Sequence, residues 1–331
     1  MWMSGTRWNS LTPQQQGWVA AAAKAANDDA RAVRDAYLDL GEPADAWLML
    51  GDNAYNSGTD DEYQAAVFEI YGDLLPNTPL WSTLGNHDGY TASSASETGP
   101  YYDIFTHPAA GEAGGVPSGT EAYYSFDLGN IHLVCLDSYD SDRLAGSAML
   151  DWLEDDLAAT SADWIIAFWH HPAYSKGSHD SDFESYMVEM RENAVPILED
   201  YGVDLVMAGH SHAYERSMLI DGHYGVSGDF DMVHQRNAGS GDPTIDGAYT
   251  KPSAAGGSHE GAVYMVAGSS GKISGGTLDH PIMYTSVNLL GSVVLDIEDN
   301  TLSARFIDDL GNLIDAFTIE RGVTSVLEMT T

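Results

Sequence analysis

Four short runs in this chain carry side chains that bind metals, and they follow one order. They are Gly51-Asp52-Asn53-Ala54-Tyr55, Gly85-Asn86-His87-Asp88, His170-His171-Pro172 and Gly209-His210-Ser211-His212. Carboxylate, amide and imidazole donors, each on a turn after an apolar run, suit a pair of divalent or trivalent metal ions. Each run alone has a plainer reading. Asp52 and Asn86 would be turn residues beside Gly51 and Gly85, and Tyr55 a packed aromatic. Four such runs together point to one shared centre.

The elements that must bring them together are legible as apolar runs. Ala46 to Leu50, Leu80 to Leu84, Trp164 to Trp169 and Val203 to Ala208 each lead into a motif and read as strands buried on both faces of a sheet. Ligands at the carboxyl ends of such strands converge on one rim, where open α/β sheets carry their sites. Helical spacing runs from Trp18 to Leu40, stopped by Gly41, and from Asp60 to Leu75, before Pro76. It recurs over Met149 to Leu157 and over Glu184 to Tyr201, the last interrupted by Pro196. Tyr123 to Val134 reads as two strands joined at a Gly129-Asn130 turn. Further strands are expected over Ala262 to Ala267, Val293 to Ile297, Leu302 to Ile307 and Ala316 to Ile319. The pattern predicts an α/β protein built as a four-layer α/β/β/α sandwich, with helices outside and residues 1–331 in a single domain. Residues 217–260, rich in Gly, Asp and Ser without periodicity, read as an extended loop forming one wall of the site.

Composition narrows the partners. The formal net charge is -37, from 13 Lys and Arg against 50 Asp and Glu. Such a surface repels nucleic-acid backbones, and no apolar stretch approaches the roughly 20 residues that span a bilayer. The same excess fits either an ordinary acidic protein or a halophile's, whose self-repulsion is screened by salt. Cys135 is the only cysteine, which excludes an internal disulfide and a thiolate cluster. The first residues lack the apolar core of a signal peptide.

Taken together, GDNAY, GNHD, HHPAY and GHSHAYER resemble the calcineurin-like metallophosphoesterases, and within them the purple acid phosphatases. Tyr55, three residues after Asp52, and Ala213-Tyr214-Glu215-Arg216 select that branch. The resemblance extends from about residue 46 to the C-terminus, including Gly268-Ser269-Ser270-Gly271. It implies two metal ions, Fe(III) with Zn, Mn or Fe(II). Asp52 would bridge them, Tyr55 and His212 would complete the first metal's ligands, and Asn86, His170 and His210 would hold the second. In that family a metal-bound hydroxide attacks phosphorus in line. His87 would sit over the phosphate as a catalytic residue, stabilising charge or protonating the leaving oxygen, tuned by Asp88. His179 would face the substrate, and His171 reads as a residue packed behind the ligands or one in the groove on the substrate side, rather than a ligand. The implied activity is hydrolysis of small phosphate esters, foremost phosphomonoesters. A phosphodiesterase or nucleotide hydrolase on the same scaffold, or a metal- and phosphate-binding protein with little turnover, are the alternatives. A secreted or periplasmic location is also implied, with any leader absent from this chain.

The chain departs from the family at its start, so that residues 1–45 read as atypical or shortened. Relatives open with a strand ending in Asp-x-Gly, whose Asp binds the first metal alone. Here Ser4-Gly5-Thr6 resembles the residues just after that Asp, which sets Met3 at the carboxylate position. A thioether is a poor ligand for ferric iron. The first metal site is therefore expected to be weak or empty, and the sheet to keep unpaired edges.

Overall fold

The computed structural model describes residues 12–323. Met3 and the Ser4-Gly5-Thr6 run lie outside the described residues. The chain opens with a helix, α1 (Pro13–Leu38), rich in Ala, the best helix former. Its Ala30, Val33, Ala36 and Tyr37 are buried at helical spacing, and Gly41 follows it with φ 69°. Strand β1 (Trp47–Met49) comes next, then two short helices, α2 (Asp60–Tyr63) and α3 (Glu69–Tyr71), joined by a π turn over Gln64–Phe68. Strand β2 (Leu80–Ser82), helix α4 (Pro100–Ile104) and the hairpin β3 (Tyr124–Leu128) and β4 (Ile131–Cys135) lead to helix α5 (Ala148–Ala159) and β5 (Trp164–Trp169). Helices α6 (Ser185–Glu189) and α7 (Val195–Asp200) precede β6 (Leu205–Ala208), β7 (Tyr214–Ser217), β8 (Tyr249–Lys251) and β9 (Val263–Ala267). The chain closes with β10 (Met283–Val287), β11 (Gly291–Glu298), β12 (Thr301–Asp308) and β13 (Leu313–Arg321).

The strands form a seven-stranded sheet in the order β10-β7-β9-β6-β5-β4-β3, a four-stranded sheet β11-β12-β13-β8 and a separate parallel pair β1-β2. On one face of the large sheet, Val134, Ile165, Ala167 and Val206 pack under Leu150, Leu153 and Leu157 of α5 and Leu198 of α7. On the other face Tyr124, Phe126, Ile166, Phe168 and Met265 meet Leu302, Ala304, Phe306 and Phe317 of the small sheet. The alternation along β5, odd residues to one core and even residues to the other, follows from the two-residue period of a strand. Helix α1 lies against β11 and β12, which completes the α/β/β/α layering. Three buried ion pairs hold the sheets in register: Arg216 with Asp315, and Lys251 and Arg321 with Asp204.

Several details differ from the sequence reading. The expected interruption at Pro196 takes the form of a π turn over Met190–Ala194, after which the proline, lacking an N–H, stands in the first turn of α7. Strands β1 and β2 are half-buried except at Ser82, and among the described residues they pair as strands only with each other. Strands β7, β8 and β10 are too short or too polar to show as apolar runs. Residues 217–260 are not one loop over the site. They include β8, whose Lys251 bonds Asp204 at the amino end of β6, away from the rim that carries His210. The part near Ser227 bonds Asp182, on the segment between His179 and Glu184. Among the described residues no helix is long and apolar enough to cross a membrane.

Candidate metal centre

The four motifs meet because glycines let their turns interlock. A Cβ on Gly51 would stand 2.5 Å from His170 Nδ1, and one on Gly209 would stand 2.6 Å from the Leu50 carbonyl oxygen. Gly51 itself has φ 85°. Asp52 and His210 also adopt the left-handed region, at φ 54° and 62°, a conformation that costs free energy in non-glycine residues and that clusters at functional sites. Hydrogen bonds link the turns: the Gly209 amide donates to the His170 carbonyl, and the His87 amide donates to Asp52 Oδ1 at 2.8 Å.

His170 Nδ1 lies 2.8 Å from the Leu50 carbonyl, an acceptor, so its proton points there and the Nε2 lone pair points inward. That Nε2 faces Asn86 Oδ1 at 3.1 Å, His210 Nδ1 at 3.2 Å and Asp52 Oδ1 at 3.3 Å. Carboxylate, amide oxygen and two imidazoles therefore converge on one point with too few protons to share. A cation fits such a set of lone pairs. The Asp52 carboxyl is pushed up by burial, yet His170 and His87, when they carry a second proton in place of a cation, outweigh this and hold it well below the usual carboxylate range. Burial pushes His210 down to about 4, against the pull of Glu184, so it offers a neutral imidazole.

A second set adjoins the first through Asp52. The Tyr55 hydroxyl lies 2.9 Å from Asp52 Oδ2 and 3.0 Å from His212 Nε2. Burial and the Asp52 charge hold the phenol far above its ordinary pKa, so a phenolate here requires a strong cation beside it. Burial, with the Lys272 charge next, pushes His212 down to about 4. Ser274 Oγ, 2.6 Å from His212 Nδ1, can accept that nitrogen's proton and leave the Nε2 lone pair toward Tyr55. The structure thus brings together Asp52, Tyr55, Asn86, His170, His210 and His212.

The residues expected to act on substrate separate into two groups. The His87 ring lies against Tyr55, centroids 4.4 Å apart, with Nδ1 2.7 Å from the Asn56 carbonyl and Nε2 3.9 Å from Asp52 Oδ2. His179 lies beside His210, centroids 3.8 Å apart, with Nδ1 held by Glu184 at 2.8 Å. Both face the centre. Asp88 does not touch the His87 ring, contrary to its expected tuning role. Its buried carboxylate accepts from the Gly85 and Asn53 amides at 3.0 and 3.1 Å and from the Tyr63 hydroxyl at 2.6 Å. It is a clamp between the first two motifs, pushed up to about 6 by burial and the Asp52 charge. His171 is 1% exposed, stacked on Tyr186 and bonded to Ser138, so it packs behind His210 rather than lining a substrate groove.

Three participants escaped the sequence reading. Glu184 bonds both His179 and His210, the latter at 3.1 Å, yet in sequence it marks only a helix start. Glu215, buried on β7, bonds Ser175 Oγ and accepts the Lys176 amide at 3.1 Å, anchoring the loop that carries His179. The signal for it was the Tyr214-Glu215-Arg216 run, in which alternate residues face opposite sides of a strand. Ser274 lies in a Gly-rich stretch with no pattern at all.

Comparison with known proteins shows the family. The family model described as calcineurin-like phosphoesterase matches residues 25–214. Purple acid phosphatase 23 of Arabidopsis thaliana is 37% identical over 151 residues, which are 44% of this chain and 31% of that protein. Probable purple acid phosphatase 20 of the same plant is 41% identical over 182 residues, 52% of this chain and 40% of the relative. The chain thus spans well under half the length of these relatives. Among solved structures, purple acid phosphatase PPD1 from yellow lupin seeds superposes with a TM-score of 0.61 at 19% identity, over 88% of this chain and 49% of that one. GAP50, the anchor in the inner membrane complex of Plasmodium, gives 0.57 at 15% identity, over 90% and 84%. At these identities the two structures show a shared fold.

Proposed function

Because the chain belongs to the calcineurin-like phosphoesterase family, we propose that it hydrolyses phosphate esters, foremost phosphomonoesters, at a centre for two metal ions. The observation that carries this reading is the convergence of Asp52, Asn86, His170 and His210 donor atoms within 3.3 Å of His170 Nε2, with Tyr55 and His212 on the far side of Asp52. Carboxylate and phenol oxygens suit Fe(III), and imidazole and amide ligands suit Zn, Mn or Fe(II). When bound, such ions would neutralise charge on the phosphoryl oxygens and make an attacking water more acidic.

The chain's own residues supply the rest. Asn56 and Tyr55 fix the His87 ring so that Nε2 points to the centre. In its imidazolium form His87 has a proton at Nε2 to give to the leaving oxygen. Glu184 holds His179 and His210 from one side, so His179 meets the phosphoryl group in a set orientation. Asp88 keeps the Asp52 and His87 turns together without touching substrate.

The test is hydrolysis of phenyl phosphate by protein reconstituted with iron, zinc or manganese. Activity should vanish on chelation and return with metal. His87→Ala should keep its metals and lose at least about 10²-fold in rate. Absence of turnover under every metal would contradict the proposal.

A further inference from the structure

Among the described Lys and Arg side chains, nine are ion-paired with a carboxylate. Arg191 donates instead to the carbonyls of Ala173 and Ser181. The remaining one is Lys272, exposed, on the loop that borders the metal centre. In a chain with 50 acidic residues, an ammonium left without a carboxylate needs a reason.

The loop is held in place rather than draped. Gly268 packs so tightly on Ser211 that a Cβ would stand 2.1 Å from its carbonyl oxygen, and Gly276 abuts the Gly177 carbonyl just as closely. The Ser274 amide donates to the His212 carbonyl at 3.2 Å, Ser274 Oγ meets His212 Nδ1, and the Leu278 amide donates to the Lys176 carbonyl at 2.8 Å. Lys272 is two residues from Ser274, whose amide and hydroxyl both bond His212.

We infer that Lys272 is a specificity residue that binds an anionic group on the substrate's leaving group, a carboxylate or a second phosphate. This rests on the phosphoesterase reading of the same site. The phosphoryl group undergoing hydrolysis is met by the convergent donors with His87 and His179, whereas Lys272 stands at the rim, where the rest of the substrate must lie. A cation carried there on a backbone held in place, among carboxylates that repel anions elsewhere, discriminates by charge.

Two esters matched in size, 4-carboxyphenyl phosphate and its neutral counterpart 4-carbamoylphenyl phosphate, test this in the metal-loaded full chain. The wild type should favour the carboxylate by roughly two- to fivefold in kcat/KM, the scale of one exposed charge pair, and less so near 1 M salt. Lys272→Arg should keep the preference, Lys272→Ala should abolish it and Lys272→Glu should invert it. The same ratio in wild type and Lys272→Ala would overturn the role of Lys272 while leaving the phosphoesterase reading intact. Hydrolysis of neither ester would overturn both. With 1,4-phenylene bisphosphate in place of the carboxylate, a larger Lys272-dependent preference would assign the rim to a second phosphate.

Discussion

Gly85 approaches Asp52 so closely that a Cβ on Gly85 would stand 2.0 Å from the Asp52 amide nitrogen and 2.4 Å from its Oδ1. The turn after β2 therefore rests directly on the carboxylate that the two metal sets share. Gly85→Ala should displace Asp52, weaken metal binding and cut hydrolysis by at least about 10²-fold, since small misplacements at a reacting centre cost that much. Metal content and the rate on phenyl phosphate check this. An active Gly85→Ala variant with full metal would mean that the turn is not what positions Asp52.

Tyr55 offers a spectroscopic prediction. Its hydroxyl lies between Asp52 and His212, and only a strong cation can remove its proton at neutral pH. Protein loaded with Fe(III) should show a visible tyrosinate-to-iron charge-transfer band that disappears in Tyr55→Phe. A colourless iron-loaded protein would remove Tyr55 from the ligands.

Much of this site was legible because its donors sit at the ends of apolar runs such as Trp164–Trp169, whose burial sets their position. What was not legible depends on contacts between distant segments. Asp88 follows His87 in sequence, yet its carboxylate turns inward to Asn53 and Tyr63. His171 follows His170, yet its side chain is buried among Ser138 and Tyr186. Glu184 reaches His210 from a helix start whose sequence names no partner, and Ser274 reaches His212 from a loop that carries no periodicity. Pattern finds the candidate ligands, and folding alone reveals what orients them.

His132 links stability to pH. Its ring is buried, with Nδ1 2.8 Å from Asp127 and Nε2 2.9 Å from Asp156. Burial alone would lower its pKa, but the bonds to Asp156 and Asp127 outweigh that and raise it above 6.5. The folded chain therefore holds this proton more tightly than the unfolded chain does. The contribution is fully present below pH 6.5 and is lost as pH rises through the folded value. Replacing His132 with Gln should lower the unfolding midpoint by roughly 2–4 °C for each kcal/mol lost, most of all below pH 6.5. A difference that grew with rising pH would contradict the assignment.

Salt should matter to the whole chain. With a formal charge of -37, self-repulsion weakens as the Debye length falls from about 10 Å at 0.1 M to about 3 Å at 1 M. The midpoint of thermal unfolding should rise by several degrees between those concentrations of potassium chloride. A flat or falling midpoint would reduce the acidic surface to a matter of solubility.

The most direct measurement is metal content and phenyl phosphate hydrolysis in Asp52→Asn. Asn keeps the size of the side chain and tolerates the left-handed backbone at this position, φ 54°, so the fold should survive, as circular dichroism would verify. The substitution removes the negative charge that the two sets of ligands share. The account predicts that wild-type protein titrates with two ions, the Asn86, His170 and His210 set filling first. It predicts that Asp52→Asn binds both weakly and has no measurable turnover. Full metal occupancy and wild-type activity in Asp52→Asn would contradict it.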